Sequence, residues 1–574
     1  MEAGNYVFML HTHLPYVLHH GNWPHGSDWL CEAVAECYLP LLNGFNELLA
    51  EGIKPKITLD ISPILCEQLE HPDFPALFEQ YCSNKIRLAV EDEKYFHRHN
   101  AQPHNVYLAQ YWQHWYSARK NEFVQRYNRS IVNALRSLQD QNAIEVITCG
   151  ATHGYFPLLG DDRSVALQVK AAVENYQKHF GKNPRGAWIP ECAYRPSYPW
   201  QTYIPVDKFS ALHPRAGVEE ILSDFGIEFF FVDEQPTSAG NPLGILKDGK
   251  LVPTWAKDYI PKRNSFDRTP LSLYNVRSEQ PAFSGGTSIA FTRHQKVAMQ
   301  VWSGDSGYPG DPAYLDFHKK HFTSALRYWR VTDNKADMMY KMLYVPDWIP
   351  EKIDVHAFHF IKSIETTLIN YRQQTGKHGT LCTPFDTELF GHWWFEGPQF
   401  VKSVLRGLHH SPYVKAVTAS EQIDNVLPDE VMSIPESSWG RGGHHDVWIG
   451  ADTKWTWEVI YKNELRFGSM IEQFPLESMT AVMRRILTQA LRELMLLQAS
   501  DWQFLISTFS AKDYAEQRFS YHHSDFNLLC TMAEQYSNPK KRLTKADKLT
   551  LEEIETRNSV FAELQLEWWN TKNK

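Results

Sequence analysis

The sequence predicts an α/β protein: a parallel barrel or open sheet with its site at the carboxyl edge of the strands, followed by a helical domain. Three observations lead there. Short apolar runs recur along the first 400 residues, and each ends in a polar residue. Helical stretches such as AECYLPLLNGFNELLAEG and DRSVALQVKAAVENYQKHFG lie between them. After about residue 400 the alternation stops and long amphipathic helices take over, clearest in 477–506, where apolar residues recur at every third and fourth position.

The first element, NYVFMLHTHLP, is an apolar run from Tyr6 to Leu10 that reads as a buried strand with His11 and His13 at its exit. ITLDISP (57–63) repeats the pattern with Asp60, and AIEVITCGATHGYFPLL (143–159) does so with His153 just past the strand. RGAWIPECAYRP (185–196) places Glu191 after its apolar residues, and LCTPFDTELFGHWWFEGP (381–398) places Asp386 at its exit. GIEFFFVDE (226–234) and TSIAFTRH (287–294) are two further strands. The polar, aromatic segment near 94–140 shows no strand pattern and reads as a helical insertion. The stretch 235–286 is rich in Gly, Pro, Asn and Ser with weak periodicity, as expected of a long lid or binding loop. The tail is expected to close on one more helix.

Composition narrows the function classes. Lys plus Arg is 58 and Asp plus Glu is 67, a net charge of −9, so no basic footprint for nucleic acid or an anionic membrane is visible in the sum. Eight scattered cysteines without a CxxC read as buried free thiols of a reducing compartment. The opening MEAGNYVFMLHTHLP lacks a basic n-region, and no window approaches 18 apolar residues, so a cytoplasmic protein is expected. Aromatic residues make up 13% of the chain, with 19 Trp, which suits either stacking on sugar rings or packing of large loops.

Two constellations carry chemistry. Glu191 and Asp386 each follow a strand, and a closed sheet can bring such acids together. Retaining glycosyl transfer needs two carboxyl groups roughly 5–5.5 Å apart. Either acid could instead cap a helix or pair with a base such as Arg195. His11, His13 and His153, with Asp60, read equally as divalent-metal ligands, as polar contacts to a ligand and as purely structural side chains, because residues two apart on a strand face the same side. No GxGxxG, P-loop or HExxH occurs. SSWGRGGHHDVWIG, with its glycines, Trp439 and Trp448, reads as an exposed rim loop.

These blocks carry a resemblance. HTHLPYVLHHGNWPHGSDWLCEA, ATHGYFPLL, WIPECAYRP, VWSGDSGYPGDPAYLDFHK, LRYWRVT, PFDTELFGHWWFEGP, SSWGRGGHHDVWIG and LLQASDWQFLISTFSAKDYAEQRF resemble, in order, those of glycoside hydrolase family 57, most closely its 1,4-α-glucan branching enzymes. The resemblance implies a (β/α)7 barrel over 1–400, with the insertion near 94–140 and the loop near 235–286, and an all-helical domain over 401–574 that completes the substrate groove. It assigns the nucleophile to Glu191 and the general acid/base to Asp386. Substrate contacts fall on His11, His13, Trp29, His153, Trp302, Trp439, Trp448 and Asp501, with Trp439 and Trp448 expected well away from the cleaved bond. It implies cleavage of α-1,4 and formation of α-1,6 bonds in a glycogen- or starch-like α-glucan, without metal or cofactor. One departure is visible: where branching members carry Gly-Arg-Asp, this chain reads FTRHQKVAMQVWS (291–303). The alternatives are an amylase or 4-α-glucanotransferase using the same carboxylates, a glucan-binding protein without turnover, and a zinc-dependent deacetylase-like barrel.

Overall fold

The computed structural model describes residues 2–570 apart from 23, 257–267, 283, 284, 334, 336 and 539. Seven strands hold the centre: β1 (Gly4–Thr12), β2 (Ile57–Ile61), β3 (Ile144–Cys149), β4 (Gly186–Trp188), β5 (Phe229–Val232), β6 (Ser288–Thr292) and β7 (Gly379–Asp386). They run parallel in the order β7-β1-β2-β3-β4-β5-β6. Just past β6, Arg293 forms a parallel bridge to Cys382 on β7, and the His294 N–H donates to the Cys382 carbonyl at 2.8 Å. All nine residues of β1 are buried. Helices on one face and packed side chains on the other explain why these strands are near-continuous apolar runs.

Register and pleat place the polar strand ends. In β1 the row Val7, Met9 packs with Phe229, Phe231 and Phe291 on the inner side of the strands, and His11 and His13 continue that row by the two-residue period. His11 stands opposite Asp386 of β7 on one side and Asp60 of β2 on the other. Three residues from distant parts of the chain therefore share one level of the sheet.

Between β2 and β3 the chain forms the helices Phe74–Arg98, Pro103–Asn121 and Ile131–Asp140, so the helical segment expected near 94–140 begins about twenty residues earlier. The stretch 235–286 differs from expectation more. Asn241–Lys247 and Lys250–Pro253 form an antiparallel hairpin, turned at Asp248 and Gly249, both in the left-handed region. Asp-Gly is the dipeptide that such a tight turn requires. The hairpin pairs with Glu430–Ser433, which pairs in turn with Tyr274–Val276 beside β6, extending the parallel run into a mixed sheet. Part of the expected loop, 257–267, lies outside the described residues.

The region after 400 is also not wholly helical. Val414–Ala416 pairs with β1 and Glu430–Ser433 with the outer sheet. Segments of three or four residues are too short to show any periodicity, which is why they were unmarked in the sequence. The helices Lys454–Gln473, Ala481–Leu497, Asp501–Ser507, Lys512–Gln535 and Lys545–Arg557 follow, then a short 3-10 turn, Leu566–Asn570, that buries Trp569 against Phe467. All eight cysteines are free and buried. Among the described residues, no helix is long and apolar enough to cross a membrane.

Candidate active site

A cleft of about 740 Å³ opens where the strands end and the helical region leans over them. His11, His13, His153, Glu191, Asp386 and Asp501 all line it, with Trp29, Trp302, Trp393 and Trp439 as half-buried aromatic walls. The structure thus gathers the sequence-predicted residues except Trp448 and Asp60, the latter buried beneath the cleft against His11.

Glu191 sits on a tight turn after β4, with φ of +62°, and its neighbour Cys192 is left-handed as well. His153 shares that conformation at φ +60°. A non-glycine residue held there costs on the order of 1–3 kcal/mol, and such strain concentrates at functional positions. It aims the Glu191 carboxyl into a set of donors. Trp439 Nε1–H donates to Oε2 at 2.8 Å and the Ser500 hydroxyl to Oε1 at 3.0 Å. Burial pushes the Glu191 carboxyl up to about 7; the bonds from Trp439 and Ser500 and the nearby His13 pull it down, while Asp501 adds to the rise. Asp386 is held well above the usual carboxylate range by burial and then by the charges of Glu388, Glu191 and Asp60, with Arg293 opposing them. Arg293 is itself clamped by Asp233, Nε to Oδ1 at 2.9 Å and Nη2 to Oδ2 at 2.7 Å.

The histidines interlock. His11 bonds Asp60 through Nδ1 (2.8 Å) and His153 through Nε2 (3.0 Å), and its ring stacks on Trp188. His153 Nδ1 bonds Ser500 at 2.8 Å. His13 bonds Ser62 through Nδ1 and the Asp501 carboxylate through Nε2, and its ring stacks on His153 at 4.0 Å. Burial holds His11 and His153 well below the ordinary imidazole pKa, helped by the nearby His13. Burial opposes a charge on His13 too, but the charge and hydrogen bond of Asp501 outweigh it and raise its pKa. His13, His153 and Asp501 have ligand atoms within 4.8 Å of one another, as do His11, Cys149 and His153. All six imidazole nitrogens nevertheless already serve hydrogen bonds, so a metal would have to break this network to bind.

The two tryptophans of the glycine-rich loop part company. Trp439 is the direct partner of Glu191, not a remote platform. Trp448 is 1% exposed, stacked on Tyr155 at 4.6 Å, and lies behind the loop rather than on the cleft wall. The glycines let the loop fold back over its own indole. Trp439→Phe should therefore lower kcat/KM by about 10- to 100-fold, the worth of a hydrogen bond to a charged group. Trp448→Ala should act on the melting temperature through a lost core side chain of about 3–5 kcal/mol. Comparable kinetic losses in both, with Tm unmoved in Trp448→Ala, would contradict this division.

Ser500 and Arg293 were not marked in the sequence. Ser500 precedes Asp501 at a break between two helices, where its N–H is tied to the His153 carbonyl at 2.9 Å; only that docking brings it to Glu191.

The chain is similar to known proteins over most of its length. The model of glycosyl hydrolase family 57 matches residues 7–435, and that of the 1,4-alpha-glucan branching enzyme C-terminal region matches 459–569. The 1,4-alpha-glucan branching enzyme of Thermococcus kodakarensis is 36% identical over 559 residues, covering 97% of this chain and 77% of its own length. The crystal structure of a GH57-type branching enzyme from Pyrococcus horikoshii superposes with a TM-score of 0.86 at 34% identity, covering 99% of this chain and 97% of that one. The alpha-amylase AmyC of Thermotoga maritima superposes with a TM-score of 0.79 at 27% identity, covering both chains in full. Two acids and their aromatic walls, set at the strand ends of this architecture, thus occur in a chain that belongs to glycosyl hydrolase family 57.

Proposed function

We propose that this protein is a retaining 1,4-α-glucan branching enzyme, working in a closed seven-stranded barrel whose groove is completed by the helical region. The observation that carries the reading is the shared cleft of Glu191 and Asp386, walled by Trp29, Trp302, Trp393 and Trp439. The match of the branching-enzyme C-terminal model over 459–569 supports it.

Glu191, ionised, attacks C1 of an internal glucose while Asp386, protonated, delivers its proton to O4 of the departing chain. Asp386 then takes the proton of a C6 hydroxyl on an acceptor chain as that oxygen displaces Glu191, leaving an α-1,6 bond and a restored carboxyl pair. The raised pKa of Asp386 suits an acid that must hold its proton near neutral pH. Trp29 and Trp302 offer faces for sugar rings, and the His13–Asp501 pair offers polar contacts to hydroxyls. His11 and His153 are 4% and 3% exposed and act on the substrate through Glu191.

Hydrolysis is the second reading, favoured by the similarity to a chain described as an alpha-amylase. Transfer prevails over hydrolysis only if water is kept from the glycosyl-enzyme while the acceptor docks. Proton NMR of amylose before and after incubation, with the enzyme exhaustively chelated, separates the two. New α-1,6 anomeric signals exceeding new reducing ends, unchanged by chelation, are expected. Reducing ends alone would make it an amylase, and activity recovered only on adding zinc would restore the metal reading.

A further inference from the structure

One line of hydrogen bonds runs from the floor of the sheet to Glu191. It passes from Asp60 Oδ1 to His11 Nδ1 (2.8 Å), from His11 Nε2 to His153 Nε2 (3.0 Å), from His153 Nδ1 to Ser500 Oγ (2.8 Å), and from Ser500 Oγ to Glu191 Oε1 (3.0 Å). Every group between its ends is buried or nearly so, and Asp60 has no exposure.

Each of the four links needs one proton between its two heavy atoms. Two neutral imidazoles and one hydroxyl supply three. If both terminal acids were ionised, one link would set lone pair against lone pair. One further proton fills the line; on either imidazole it would make a buried imidazolium, which burial opposes, and that leaves the two terminal acids. On Asp60, every bond points toward Glu191: Asp60 O–H to His11 Nδ1, His11 Nε2–H to His153, His153 Nδ1–H to Ser500, and Ser500 O–H to the Glu191 carboxylate. On Glu191, every bond reverses, and Asp60 becomes the anion.

We propose that Asp60, His11, His153 and Ser500 form a single-file proton relay ending on Glu191, in which the two acids share one proton and Asp60 holds it whenever Glu191 is the attacking anion. The inference deepens the reading of Glu191 as nucleophile and rests on it.

The surroundings decide which end keeps the proton. Glu191 as an anion is served by two donors, Ser500 and Trp439. Asp60 Oδ2 is buried without a hydrogen-bond partner, a costly place for a carboxylate oxygen and a tolerable one for the carbonyl of a neutral acid. Burial also holds the Asp60 carboxyl well above its usual range, outweighing the nearby His13 and the backbone N–H groups of Thr12 and Asp60. Other ionisable groups facing the line include His13, Asp501, Glu388, Asp386, Cys149, Tyr38 and Tyr155. His13 is the one whose charge favours an anion at either end. Asp60 is thus a positioning residue: it touches no substrate, and it fixes the tautomers that present a donor to Glu191. When Glu191 forms its ester, the line is left with no net charge and no proton needs to move.

The test reads the tautomers directly, by 15N NMR of histidine-labelled enzyme or by neutron diffraction from deuterated crystals. In the unmodified protein His11 should carry its proton on Nε2 and His153 on Nδ1. In Glu191→Gln, the amide oxygen must face the Trp439 N–H, so the amide N–H donates to Ser500 and both tautomers should invert. Unchanged tautomers in Glu191→Gln, His11 protonated on Nδ1 in the unmodified enzyme, or an imidazolium at either ring would each overturn the relay. None of these results depends on whether Glu191 is the nucleophile, which activity alone decides. As a kinetic check, Asp60→Leu should lower kcat about 30-fold at unchanged KM, and Asp60→Asn, whose amide can donate to His11, should recover most of that loss. Equal kcat in Asp60→Leu and Asp60→Asn would reduce Asp60 to packing.

Discussion

Glu191→Gln should lower glucan turnover by about 10⁴-fold or more, with the circular dichroism spectrum and melting temperature close to those of the parent. The side chain keeps its shape, and its amide satisfies Trp439 with oxygen and Ser500 with nitrogen, so the fold has no reason to change. What disappears is the charge that attacks C1. Glu191→Gly should recover activity toward a maltosyl fluoride in the presence of azide and give the inverted β-azide, because a small anion then occupies the vacated volume. Activity of Glu191→Gln within tenfold of the parent would remove Glu191 from the chemistry. The pH dependence carries the same assignment. Burial pushes this carboxyl up to about 7, and only the ionised form attacks, so kcat/KM should fall as pH drops below that value.

Asp386→Asn should cost about 10²- to 10⁴-fold on amylose, the range of general acid–base assistance. Leaving-group chemistry separates its role from that of Glu191. A maltosyl fluoride needs no proton to depart, so its first step should stay fast while the glycosyl-enzyme accumulates, since no base remains to activate the acceptor hydroxyl. Azide, which brings no proton to remove, should relieve that block. Asp386 is held well above the usual carboxylate range by burial and by Glu388, Glu191 and Asp60, so its protonated form is the active one for cleavage. The sign follows: kcat/KM in the unmodified enzyme should decline as pH rises through the Asp386 pKa, and that alkaline limb should vanish in Asp386→Asn. Equal losses on fluoride and on amylose, with the alkaline limb intact, would place the acid elsewhere.

The strands were legible because they are buried on both faces: YVFML and FFFV are apolar throughout, ITLDI is interrupted only by Thr58 and Asp60, and each run stops where the polar edge begins. His11, Asp60, His153, Glu191 and Asp386 could be placed at that edge for the same reason, since a carboxylate or imidazole ending an apolar run has few places to go. The Asp-Gly turn at 248–249 passed unmarked inside the expected loop, because weak alternation on either side concealed its hairpin, as partly exposed strands often do.

What the tertiary structure decided is which of these groups touch. Only the register of β1 against β2 and β7 sets His11 level with both Asp60 and Asp386. Only the docking of the break at Ala499–Ser500 onto His153 brings Ser500 to Glu191. Trp439 and Trp448 lie nine residues apart in one loop, yet one binds Glu191 and the other is buried behind Tyr155. Periodicity reports which face of an element is apolar, whereas a contact between residues hundreds of positions apart depends on how whole elements pack, and no local pattern encodes that.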